Sequence, residues 1–66
     1  MNLTPRQLDC IRALLVTGNG KEAAARLGIS PYTLKGHVAG ARERLGVDTT
    51  AQAVAVLALS GDLGRA

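Results

Sequence analysis

A chain of 66 residues allows one small domain, and a domain of this size buries only about 60% of the surface its unfolded chain exposes. It holds one cysteine and one histidine, which excludes an internal disulfide and a zinc site of about four ligands. Eight Lys and Arg against five Asp and Glu leave a net charge of +3, a modest bias towards polyanions.

Every segment reads as helix. Thr4-Pro5-Arg6-Gln7 forms a capping box, with Thr4 as N-cap, Pro5 at the first helical position and Gln7 reaching back. Leu8, Ile11 and Leu15 follow at helical spacing, with Leu14 beside them, and Gly18-Asn19-Gly20 stops the helix. Asn19 can cap a short second helix, with Glu22 as its box partner. That helix carries Ala23, Ala24, Ala25 and Leu27, and Gly28 ends it. Ser30-Pro31 opens a third helix whose apolar stripe is Leu34, Val38, Ala41 and Leu45, with Gly46 as its stop. Asp48 or Thr49 caps a fourth, which carries Ala53, Val54, Val56, Leu57 and Leu59 and ends near Gly61. Residues 62–66 are expected to fray.

The middle of the chain is the informative part. A short helix, a turn through Gly28 and Ile29, and a capped longer helix make a helix-turn-helix pattern. Ile29 can plug the turn. In such a pair the second helix enters the major groove of DNA. Small bundles without DNA partners also use short Gly turns, so the pattern alone leaves both possibilities open.

Several strings in fixed order resemble the LuxR/NarL-type (GerE-like) helix-turn-helix output domain. Leu3-Thr4-Pro5-Arg6 resembles the family's Leu-Thr-x-Arg-Glu opening. Lys21 to Ser30 resembles its Lys-Glu-Ile-Ala-x-x-Leu-x-Ile-Ser run. Thr33-Leu34-Lys35-Gly36-His37-Val38 resembles Thr-Val-Lys-x-His-Val. Arg44-Leu45-Gly46-Val47 resembles its Lys-Leu-Gly-Val close, and residues 50–59 its last helix. The resemblance implies an all-α, four-helix domain spanning residues 1–66, with helix 3 as recognition helix and helix 4 as dimer helix. It implies a transcription regulator that binds double-stranded DNA as a homodimer. With no receiver or ligand-binding domain among its 66 residues, the chain resembles the family's short stand-alone members.

On the resemblance, Lys21 contacts a backbone phosphate; the alternative is an ordinary solvated lysine. Ser30 caps the recognition helix at the DNA. Lys35 contacts DNA, and His37 donates to a phosphate or is a polar surface residue. Thr33 gives its hydroxyl to a phosphate or supports the cap. Tyr32 reaches a phosphate or, the favoured reading, packs on the Lys35 stem. Arg44 and Arg42 stand at the groove edge, with Glu43 between them weakening their field. Ala51, Val54, Ala55 and Ala58 are the expected dimer contacts, although Val54 and Leu57 can equally be core. Cys10 is expected to be a buried small hydrophobe rather than a redox sensor.

The chain departs from the family pattern in ways that matter physically. Gln7 replaces the usual Glu, and the loop before Lys21 is one residue shorter, with Gly20 near the usual Ser/Thr cap. Ala23 and Ala41 stand where the family carries Ile, each losing burial at about 0.8 kcal/mol per methylene, so a thin core is expected. Stepping 100° per residue from the apolar stripe puts Tyr32, Gly36, Ala39, Gly40 and Glu43 on the opposite face. Gly36 and Gly40 stand where the family presents base-contacting side chains. Either base readout has weakened, the favoured reading, or a smooth face lets the backbone approach the bases, with Ala39 against a thymine methyl.

Other classes are excluded or disfavoured. With neither Phe nor Trp and a single Tyr, the chain has no stacking platform for single strands. No nucleophile–base pair, phosphate loop or carboxylate pair suggests an enzyme, and no cofactor or small-molecule ligand is expected. The longest apolar run, residues 53–59, is far short of the roughly 20 residues of a membrane span. The lone cysteine and the lack of an apolar signal core point to the cytoplasm, on the nucleoid. The alternative function is a protein-interaction module that grips another regulator or a polymerase subunit through helix 4; Gly36 and Gly40 favour it.

Overall fold

The computed structural model describes residues 3–61. Four helices follow one another: α1 (Pro5–Thr17), α2 (Gly20–Leu27), α3 (Pro31–Leu45) and α4 (Thr50–Ser60). The fold is all-α, as expected. The fraying expected of residues 62–66 lies outside the described residues.

Each helix starts on a side-chain oxygen. Thr4 Oγ1 accepts from the Gln7 N–H at 3.1 Å, and Gln7 Oε1 accepts from the Thr4 N–H at 2.9 Å, which closes the expected capping box. Thr49 and Gln52 build a second box, so Thr49 rather than Asp48 caps α4. Gln52 Oε1 accepts there from the N–H groups of both Asp48 and Thr49. At α2, Asn19 Oδ1 accepts from the Glu22 N–H at 2.8 Å, without the reciprocal Glu22 bond expected from the sequence. Ser30 Oγ accepts from the Thr33 N–H at 3.0 Å and starts α3.

The turn between α2 and α3 decides how α3 is presented. Gly28 has φ 70°, a left-handed conformation that a residue with a Cβ adopts only at a cost. Its N–H donates to Ala25 O at 3.2 Å and that of Ile29 to Ala24 O at 3.0 Å, closing the end of α2 as a Schellman-type cap. Ile29 then folds back, half-buried, against the core, as the plug the sequence suggested.

The apolar interior has two parts. Cys10 and Ala13 of α1, Ala23 and Ala24 of α2, and Leu34 and Val38 of α3 form the first, with Leu14, Leu27 and Ile29 at its edge. Ile11, Ala41, Ala53 and Leu57 form the second, edged by Leu3, Leu8, Leu45, Val47 and Val54. The second part attaches α4 to α1 and α3. Ala23 and Ala41 are both fully buried, so two core positions are filled by small side chains.

One apolar residue departs from the sequence reading. Leu15, expected on the core stripe of α1, is 52% exposed. Ala13 is buried in its stead beside Cys10, because α2 approaches α1 closely where the facing residues are small. Leu59 is 89% exposed on α4, whose inward positions are Ala53 and Leu57.

Candidate nucleic-acid interface

α3 is held from behind by Leu34, Val38 and Ala41, which are buried at helical spacing. Its outer face is therefore fixed in rotation relative to the rest of the domain. Tyr32, Thr33, Lys35, Gly36, His37 and Ala39 surround one shallow depression on that face, with Arg42 at its rim. Six of the expected DNA-contact residues are thus neighbours in space. Two of the residues around the depression are permanent cations, Lys35 and Arg42, and none is a carboxylate.

A second depression adjoins the first. Gly20, Lys21, Pro31, Tyr32, Leu34 and Lys35 line it, so the start of α2 and the start of α3 meet there. Lys21 is exposed and belongs to the same surface as Lys35 and Tyr32. Two helix N-termini beside two lysines make a place where anionic oxygens are favoured. Ser30 lies just before this surface, with its Oγ engaged as the α3 cap. The Ser30 hydroxyl also donates to Thr33 Oγ1 at 3.0 Å. Thr33 Oγ1 thus lies against the Ser30 cap.

Other residues of the expected set stand differently. Tyr32 is 86% exposed, so it keeps little of the packing expected of it. Arg44 is exposed in the last turn of α3, beyond the depression. Arg42 shares the depression with Lys35, in keeping with its expected place at the edge. It follows Lys35 by seven residues, two turns on, and that spacing was the available signal.

Gly40 is a correction. It was expected on the outer face, but it is half-buried, and a Cβ at position 40 would stand 2.9 Å from Gln7 Nε2. The start of α1 crosses α3 at this point. A helical wheel with one apolar stripe cannot show it, because α3 packs against α1, α2 and α4 together. Gly36, by contrast, has open space where a Cβ would be.

On α4, Ala51, Ala55 and Ala58 are exposed at helical spacing, and Val54 is shared between the surface and the second core. Leu57, the other residue left open between seam and core, is 1% exposed and belongs to the core. Cys10 is fully buried, and burial pushes its thiol above the ordinary value against a smaller lowering effect of Arg6. That is the behaviour of a packed, inert thiol. No described helix is long and apolar enough to cross a membrane.

Over residues 1–57 the chain matches the GerE family model, described as bacterial regulatory proteins, luxR family. It is 36% identical over 61 residues to the spore germination protein GerE of Bacillus subtilis (strain 168), an overlap of 92% of this chain and 82% of that protein. No solved structure matches the chain.

Proposed function

The chain belongs to the luxR family of bacterial regulatory proteins, and on that footing we propose that it recognises specific duplex DNA as a homodimer, with α3 in the major groove. Membership makes it a DNA-binding transcription regulator and not an enzyme. What supports the finer reading is one observation: the exposed face of α3 gathers Lys35, His37 and Arg42 around one depression, next to Lys21 at the start of α2.

The roles divide by position. Lys35 and Ala39 face base edges. Lys21, Thr33, His37 and the Tyr32 hydroxyl meet phosphates on either side. Phosphate contacts set register and most of the affinity, and base contacts set sequence. Arg44, further along, reaches the flanking backbone. The protein works in the cytoplasm, on the nucleoid.

Dimerisation uses α4. Ala51, Ala55 and Ala58, with Val54 at the edge, offer small side chains that let two helices approach closely. A two-fold axis through them gives two α3 helices and a two-fold symmetric site. Ala55→Glu places a charge in that seam, and sedimentation equilibrium is expected to show a shift from dimer to monomer. An unchanged dimer would remove α4 from this role.

Lys35→Glu tests the recognition role. DNA binding, followed by fluorescence anisotropy, is expected to be abolished while the circular dichroism of the folded domain is unchanged. Retained DNA binding would move recognition away from α3. The protein-partner alternative drew on two glycines, and Gly40 is accounted for by its contact with Gln7. It predicts the opposite pattern, with partner capture intact in Lys35→Glu.

A further inference from the structure

The depression on α3 has Gly36 as its floor. Apart from its two chain neighbours and the backbone of its own helix, nothing lies within 4 Å of where a Cβ would stand at this position. Tyr32 and Thr33 wall it one turn before, and Ala39 one turn after. The Tyr32 ring, 86% exposed, stands up from the helix rather than folding into the core. Gly40 faces Gln7 instead, so Gly36 alone makes the gap in the outer face.

The floor and the end walls are largely apolar, and the rim is cationic through Lys35 and Arg42. The major groove offers a matching pattern. Thymine projects a C5 methyl there, beside the O4 acceptor, and its flanking phosphates are anionic. A methyl group is the size of the side chain that Gly36 lacks. Lys35, next in sequence, has donors for O4 or for a neighbouring purine N7.

We propose that the hollow over Gly36 seats the C5 methyl of a thymine, which makes Gly36 a specificity-determining residue by shape rather than by hydrogen bonding. This deepens the DNA-reading role proposed above and rests on it. Cytosine and uracil lack the methyl, leave the hollow empty and bind less well at that position.

The test starts from a duplex selected from a random library by the wild-type protein. That duplex is made once with thymine and once with deoxyuridine at every thymine, and a mixed-sequence duplex in both forms is the reference. Anisotropy titrations are expected to show the uracil form of the selected duplex binding about fourfold more weakly per half-site, the worth of one buried methyl. The two reference duplexes are expected to bind alike. Gly36→Gln fills the hollow with a polar side chain. It is expected to lose the preference for thymine over uracil, read as the ratio of the variant's own two affinities. Equal binding of thymine and uracil forms by the wild type would overturn the proposal, as would an undiminished preference in Gly36→Gln. Both outcomes leave DNA binding itself in place. Failure of the folded wild type to bind any duplex at low salt would instead overturn the DNA-reading role, and this proposal with it.

Discussion

Two glycines in α3 do opposite things. Gly36 stands in open space, and Gly40 lies under Gln7. Glycine in a helix interior costs roughly 0.5–1 kcal/mol relative to alanine. Gly36→Ala is therefore expected to raise stability by about that amount, read from thermal melts. Gly40→Ala is expected to gain less or to lose, because its methyl pushes the Gln7 amide that closes the α1 capping box. Equal gains from both variants would mean that Gln7 moves aside at no cost. A second residue-scale expectation concerns Cys10. Burial raises its pKa in the fold, so the folded state holds the proton more tightly than the unfolded chain does. Stability from this group is complete below the ordinary thiol value and is lost as pH rises past it. Melts across the alkaline range are expected to show that loss in the wild type and a smaller one in Cys10→Ala.

At the scale of elements, the helix boundaries were legible in the sequence because this chain marks them chemically. Thr4, Asn19 and Ser30 cap where oxygen-bearing residues precede helical periodicity, and Gly18, Gly28, Gly46 and Gly61 close all four helices in left-handed geometry. The fourth cap stayed divided between Asp48 and Thr49, since both side chains can cap. Gln52 decides it by pairing with Thr49. Rotation about α3 was legible for the core stripe and for Tyr32, Lys35, Gly36 and Ala39. It failed at Gly40, where the neighbour is remote in sequence. Leu15 failed for a related reason: its spacing put it on the apolar stripe, but close packing against α2 selected Ala13 beside Cys10, whose burial was expected. The Ser30 cap carries an element-scale prediction. Ser30→Ala removes the acceptor for the Thr33 N–H and the partner of the Thr33 hydroxyl. It is expected to cost about 0.5–2 kcal/mol of stability and to weaken DNA binding beyond that loss, because the α3 start lies in the proposed interface. A stability loss with unchanged affinity for DNA would place Ser30 outside it.

For the whole molecule, the small core and the proposed interface are linked. The largest fully buried side chains are Ile11, Leu57 and Cys10, a modest set for a chain of 66 residues. Ile11 joins α1 to Ala41, Ala53 and Leu57 and so holds the α4 attachment together. Ile11→Ala is expected to cost about 2–5 kcal/mol, comparable with the roughly 3–5 kcal/mol that a core of this size supplies. The variant is expected to be largely unfolded at low concentration and to regain structure with DNA or with increasing protein, since both bind only the folded form. Circular dichroism at several concentrations checks this, and a concentration-independent signal would argue against a dimer.

This domain is expected to bind duplex DNA largely through phosphate contacts made around α3. The most direct test is an anisotropy titration of the wild type with mixed-sequence duplex DNA at about 50 mM and about 200 mM salt. Tight binding is expected at the lower salt and an affinity about a hundredfold or more weaker at the higher, as released counterions require. An affinity that hardly changes with salt, or no binding at low salt by a folded sample, would contradict it.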